Sequence, residues 1–183
     1  MNKEILIICR GGGDLAPGIV HRLFRAGYQV LILETAEPAA IRRQVSFCEA
    51  VYEGTATVEG VTAERIYTAK KQAVEEVRQR GRIPLLVDPD GRSIEVLKPD
   101  VVVDAIIAKR NLGTYKEMAP LVIGIGPGFV AGKDVHLVVE SMRGHNLARI
   151  LETGSALANT GIPGNIGGYT KERVIHAAAE GYM

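Results

Sequence analysis

The stretch Ile5-Leu6-Ile7-Ile8-Cys9-Arg10-Gly11-Gly12-Gly13-Asp14-Leu15-Ala16-Pro17, read together with Tyr28 to Glu34, decides the fold. Ile5 to Ile8 is a continuous apolar run, as expected of a parallel strand buried on both faces. Leu15, Ile19, Val20, Leu23 and Phe24 then recur at helical spacing. Pro17 suits a first turn, where its missing N–H costs little, and Gly27 suits the stop. Tyr28 to Leu33 predicts a second strand. Strand, glycine turn, helix and strand together make a βαβ opening.

The glycine turn carries the first chemical signal. Gly11, Gly13 and Ala16 fill the G-x-G-x-x-G/A pattern of a dinucleotide site. That chemistry needs a tight turn, close approach of backbone to phosphate, and a helix N-terminus aimed at the anion. The backbone of Gly11, Gly12, Gly13, Asp14, Leu15 and Ala16 is therefore a candidate phosphate cradle. Glu34 follows Gly13 by 21 residues and ends the second strand, where a carboxylate accepts from a ribose diol. Asp14 is expected to cap the helix, although a carboxylate there also crowds a pyrophosphate. Arg42 and Arg43 fit either a solvated face or a 2′-phosphate, so NAD and NADP both stay open. A ligand-free turn of the same shape stays open too.

The rest of the chain extends the α/β pattern. Pro38 suits the start of a second helix, with Ile41, Val45 and Cys48 on one face, and residues 68–81 read as a third. Ile83 to Val87 and Ser93 to Leu97 flank Asp88-Pro89-Asp90-Gly91, which predicts a hairpin. Val101 to Ala108 and Leu121 to Ile125 are strongly apolar strands. Residues 135–142 suggest another strand and 144–152 a short helix. The expected fold is a Rossmann-like, doubly wound α/β domain with a mostly parallel sheet over 1–154. A Gly-, Asn- and Pro-rich extension is expected over 155–183.

In such a sheet, ligands sit beyond the carboxyl ends of the strands. This places Lys109, Arg110 and Asn111, with Gly126 and Gly128, beside the first glycine loop as candidate binding residues. Asp104, inside an apolar strand, reads equally as a structural acceptor and as an active-site acid, the catalytic candidate. Asp134, His136 and Glu140 could share a strand face, but nothing in their spacing supports a metal, and none is expected. His21 and His176 read as ordinary polar residues. Cys9 reads as a small buried hydrophobe.

Composition bounds the partners. Of 183 residues, 46% are hydrophobic and 23% charged, which excludes disorder. The net charge of +1 gives no basic excess for nucleic acid. Two cysteines in unrelated contexts fit a reducing cytoplasm. The apolar run near the start is too short for a signal peptide or a membrane span. A soluble cytoplasmic domain is expected, with a homo-oligomer left open.

Several strings are specific: Arg22 to Gly27, Ile41 to Arg43, Glu49 to Glu53, Val103 to Gly113, Ala119 to Phe129, Arg143 to His145 and Asn159 to Gly167. In these the chain resembles the selenium-dependent molybdenum hydroxylase maturation proteins, which are distantly similar to xanthine dehydrogenase maturation factors. The resemblance covers nearly the whole chain. It implies a Rossmann-like accessory protein that handles a molybdopterin-type molybdenum cofactor and has a molybdenum hydroxylase apoenzyme as partner. It also draws Arg143 and His145 into the candidate site, as residues suited to a pterin phosphate or a carboxylate. Members of the family run on past Met183, so a C-terminal segment is expected beyond it. The alternatives from the residues alone are an NAD(P)-dependent oxidoreductase and a non-catalytic interaction module.

Overall fold

A computed structural model describes residues 5–163 and 165–173. His176, and the end of the extension predicted over 155–183, lie outside the described residues. Strand β1 (Leu6–Arg10) leads through helix α1 (Ala16–Arg25) to β2 (Gln29–Glu34). Two 3-10 turns (Arg43–Val45 and Phe47–Glu49) and a short α2 (Ala50–Glu53) precede β3 (Thr55–Val58) and β4 (Val61–Ile66). Then come α3 (Lys71–Gln79), β5 (Ile83–Val87), α4 (Ser93–Leu97), β6 (Val101–Asp104), β7 (Leu121–Ile125), β8 (Leu137–Val139) and β9 (Ile150–Leu151).

The strands form one sheet in the order β3-β4-β5-β2-β1-β6-β7-β8-β9. The run β5-β2-β1-β6-β7-β8 is wholly parallel and has the strand order of a Rossmann fold. β4 extends it in parallel beside β5, and the two edge strands, β3 and β9, pair antiparallel with β4 and β8. The fold is therefore α/β and Rossmann-like, with the order reversing between β1 and β6. Alternation within strands feeds two cores. Ile7, Cys9, Val30 and Ile32 pack with Ala16 and Val20 of α1 and with Phe47, Ala50 and Val51. Ile8, Leu31 and Leu33 pack on the opposite face with Val74 and Val77 of α3 and Ile94 and Leu97 of α4. Among the described residues, no helix is long and apolar enough to cross a membrane.

Four local expectations are corrected. The hairpin predicted around Asp88 to Gly91 is a turn into helix α4, because the Asp88 carboxylate accepts from the Arg92 and Ser93 amides and starts a helical turn. The helix predicted from Pro38 is an irregular connection with 3-10 turns: Ile41 is 93% exposed, while Phe47 and Cys48 are buried. The helix predicted over 144–152 is a turn into β9, with Gly144 and Ala148 both at positive φ. The strand predicted through Ala108 ends at Asp104, where Ala105 donates to the Arg10 carbonyl and the chain leaves the sheet. Residues 155–163 and 165–173 carry one short 3-10 turn, Lys171–Arg173, and an isolated antiparallel bridge between Ile166 and Tyr169.

Candidate functional site

The reversal between β1 and β6 opens a crevice of about 650 Å³ at the carboxyl ends of the strands. One wall is the loop after β1. Gly11, at φ +96°, lets that loop lie directly on the loop after β6, since a Cβ there would stand 3.0 Å from the Ala105 carbonyl oxygen. Gly12 donates to the Glu34 carboxylate at 2.8 Å and accepts from the Cys48 amide at 2.9 Å. Gly13 is different: a Cβ there would meet nothing within 4 Å. Helix α1 starts just beyond, and its first turn has no side-chain cap from the N-cap residue, Leu15. Amides at an uncapped helix start are suited to an anion.

The second wall is Glu34 and the connection that follows it, with Glu37, Pro38 and Ile41 lining the space. Glu34 Oε1 accepts from the Thr35 amide at 2.8 Å. Burial pushes the Glu34 carboxyl up from its usual value, and the amides of Thr35 and Gly12 pull in the other direction without cancelling it. Asp14 does not cap the helix as expected. Its carboxylate reaches across to accept from the amides of Ile41 (3.2 Å) and Arg42 (2.9 Å), and it pairs with the Arg42 guanidinium at 3.4 Å. Desolvation raises the Asp14 carboxyl, but those amides and the Arg42 charge outweigh it and hold it below the ordinary value. Arg42 is thereby committed to Asp14.

The third wall is the loop after β6, where Ala105, Ile106, Ile107 and Lys109 line the crevice. Ile107 (φ +59°) and Lys109 (φ +63°) both occupy the left-handed region, a costly conformation for a β-branched residue and one that clusters at binding sites. Leu15, Ile41 and Ile107 give the crevice apolar surface suited to the face of an aromatic base, and Lys109 gives it a cation. Cys48 lies in the wall, with its thiol pushed up to about 12 by burial and then by Glu34, Glu49 and Asp14. Cys9 is pushed up to about 12 by burial alone. Burial of both thiols favours the protonated form, the opposite of the lowered pKa that activates a cysteine.

Of the residues singled out from the sequence, Gly11, Gly13, Asp14, Leu15, Glu34 and Lys109 line the crevice. Gly12 sits beneath it through its bond to Glu34, and Ala16 is buried under the first turn of α1. Asp104 is not part of the lining. Its carboxylate accepts from Thr114 Oγ1 and the Ile106 amide and lies 3.6 Å from the Arg10 guanidinium, which makes it a structural acceptor in a buried ion pair. Asn111 spends its amide on the backbone of Thr114, through bonds of 2.7 Å in both directions. Gly126 and Gly128 admit other parts of this chain, Ser141 and the Arg110 backbone respectively. Arg110, Arg143 and His145 are exposed and do not line the crevice.

The Asp134, His136 and Glu140 side chains are each spent on backbone amides, those of Val130, Val122, and Met142 with Leu157. Among the described residues, no group of three or more His, Cys, Asp or Glu is placed to hold a metal ion. The sequence reading missed Arg10, Cys48 and Ile107. For Arg10 a signal existed: a charge ends each of two buried strands, and the pairing sets Arg10 opposite Asp104. The crevice thus offers the amides before α1 and Lys109 to an anion, and the Glu34 carboxylate to a hydroxyl, beside the open space at Gly13. Arg143 and His145, which the resemblance suits to a cofactor phosphate or carboxylate, stand outside the crevice.

No family model matches the chain. Among curated proteins it is similar to the uncharacterized protein YqeB of Escherichia coli (strain K12), with 51% identity over 178 residues. The match takes in 97% of this chain and 32% of that relative, so the chain spans about a third of the relative's length. No solved structure matches.

Proposed function

We propose that the chain is a nucleotide-binding accessory module in the maturation of molybdenum hydroxylases, acting in the cytoplasm on a nucleotide-bearing cofactor before insertion into the apoenzyme. The observation that carries the binding half is the open position at Gly13. It lies between an uncapped helix start and a ribose-facing carboxylate, at the strand reversal of a Rossmann sheet. In the bound state the amides at the start of α1 meet phosphate, Glu34 accepts from ribose hydroxyls, and the apolar walls hold the base. The assignment to molybdenum hydroxylases is supported by the sequence strings described above. A cell lacking this gene is expected to lose molybdenum hydroxylase activity while still accumulating the apoenzyme. Wild-type chain restores the activity and Gly13→Val does not. Normal hydroxylase activity in the deleted strain contradicts the assignment.

A further inference from the structure

We infer that the crevice grips a single nucleotide and leaves the second half of any dinucleotide ligand outside it. This rests on the nucleotide-binding reading above and narrows its ligand. A doubly wound sheet accommodates a dinucleotide with two similar halves, one on each side of the strand reversal. In this chain the halves differ. On the β1-β2-β5 side, α1 follows β1, and the loops after β1 and β2 line the crevice. On the β6-β7-β8 side, β6 reaches β7 through one 3-10 turn, Lys116–Met118, and no helix intervenes between β7 and β8 among the described residues.

The loops on that second side are also packed on one another. A Cβ added at Gly128 would stand 2.8 Å from the Arg110 backbone, and one at Gly126 would stand 2.6 Å from Ser141 Oγ. At Gly124 it would fall 2.5 Å from the buried Phe129 ring. These glycines are filled by neighbouring chain, whereas the space at Gly13 is empty to 4 Å. The β6 loop contributes to the crevice only through Ala105 to Lys109, and neither 126–129 nor 141–145 lines it. Among the described residues, the loops after β7 and β8 thus offer a second nucleoside no wall of this crevice.

The test titrates the full chain by calorimetry with ADP, GDP, CDP and UDP, and then with the dinucleoside pyrophosphate of each base. For every base that binds, the dinucleoside compound is expected to match its diphosphate within about threefold, or to bind more weakly, because the added half buries no surface. A dinucleoside compound at least about tenfold tighter overturns the inference and leaves the nucleotide-binding reading intact. Binding by no compound of either series overturns both. Gly13→Val is expected to remove binding of both series. Retained dinucleoside affinity in that variant, with an unchanged melting curve, places the compound at another surface and overturns the inference.

Discussion

At the carboxyl ends of two neighbouring strands, the Arg10 guanidinium of β1 lies 3.6 Å from the Asp104 carboxylate of β6, with both side chains 2% exposed. Thr114 accepts from Arg10 and donates to Asp104, and Arg10 also donates to the carbonyls of Pro89 and Leu112. One buried pair thus ties together β1, β6, the turn before α4 and the loop that returns toward β7. It lies at the ends of β1 and β6, the two strands between which the order reverses.

Removing one member of that pair leaves a buried charge without its partner. Asp104→Ala is expected to destabilise the domain by about 3–5 kcal/mol in urea unfolding. The double replacement Arg10→Met with Asp104→Leu is expected to cost less than Asp104→Ala alone, because it removes both charges. A single variant within about 0.5 kcal/mol of wild type would rule out this structural role.

Gly13→Val tests the cradle with little structural confounding. Its Cβ enters open space, so the melting temperature is expected to stay close to wild type while nucleotide affinity is lost. Gly124→Val is the contrast. There the Cβ would overlap the Phe129 ring, and the thermal melt is expected to fall steeply whatever the ligand does.

Glu34 is expected to set the pH dependence of binding. Glu34→Ala should weaken a ribose-bearing ligand by about 1–2 kcal/mol, the scale of hydrogen bonds to a charged group. The carboxylate is the accepting form, and burial raises its pKa. Wild-type affinity should therefore fall as pH drops through that raised value, earlier than an ordinary glutamate would dictate, while the variant stays flat. Parallel pH profiles for the two proteins would contradict the role.

Asp14 holds the connection after β2 against the glycine loop through the amides of Ile41 and Arg42. Its folded pKa is depressed, so its contribution to stability is present above the ordinary value of 3.8 and is lost as pH falls through the lowered value. The Ile41 and Arg42 amide resonances are expected to titrate with a midpoint below 3.8, and Asp14→Ala should abolish that titration. A midpoint at or above 3.8 would contradict the clasp.

Lys109 and Arg110 are adjacent in sequence but differ in place. Lys109 lines the crevice, whereas the Arg110 backbone is packed at Gly128. Lys109→Ala should weaken a phosphate ligand by up to about 1 kcal/mol, as befits an exposed cation. Arg110→Ala should leave affinity within about twofold of wild type. Equal losses in the two variants would place the ligand further along the rim.

The parts legible in the sequence are those governed by local periodicity. The alternation from Ile5 to Glu34 encodes β1, α1 and β2, and the glycine pattern marks the loop that lines the crevice. Ser93 to Leu97 reads as the second strand of a hairpin, and it is Asp88, as acceptor for the α4 amides, that makes it a helix. The β3–β4 hairpin had a readable signal in Glu59-Gly60, both at positive φ as a two-residue hairpin turn requires. What could not be read were long-range commitments. Asp14 looks like a helix cap until residues 41 and 42 are brought to it, and Asp104 reads equally as structural acceptor and active-site acid until Arg10 stands opposite. Gly126 and Gly128 look like a second cradle until Ser141 and Arg110 fill them.

The central claim is that a nucleotide occupies the crevice at the β1–β6 reversal. The measurement that tests it most directly is a nuclear magnetic resonance titration of the isotope-labelled chain with ADP, GDP, CDP and UDP in turn. At least one of them is expected to shift the amides of residues 11–16, 34–41 and 105–109 together, with those of 126–128 and 143–145 unmoved. Spectra unchanged over 11–16 for all four nucleotides would contradict the claim.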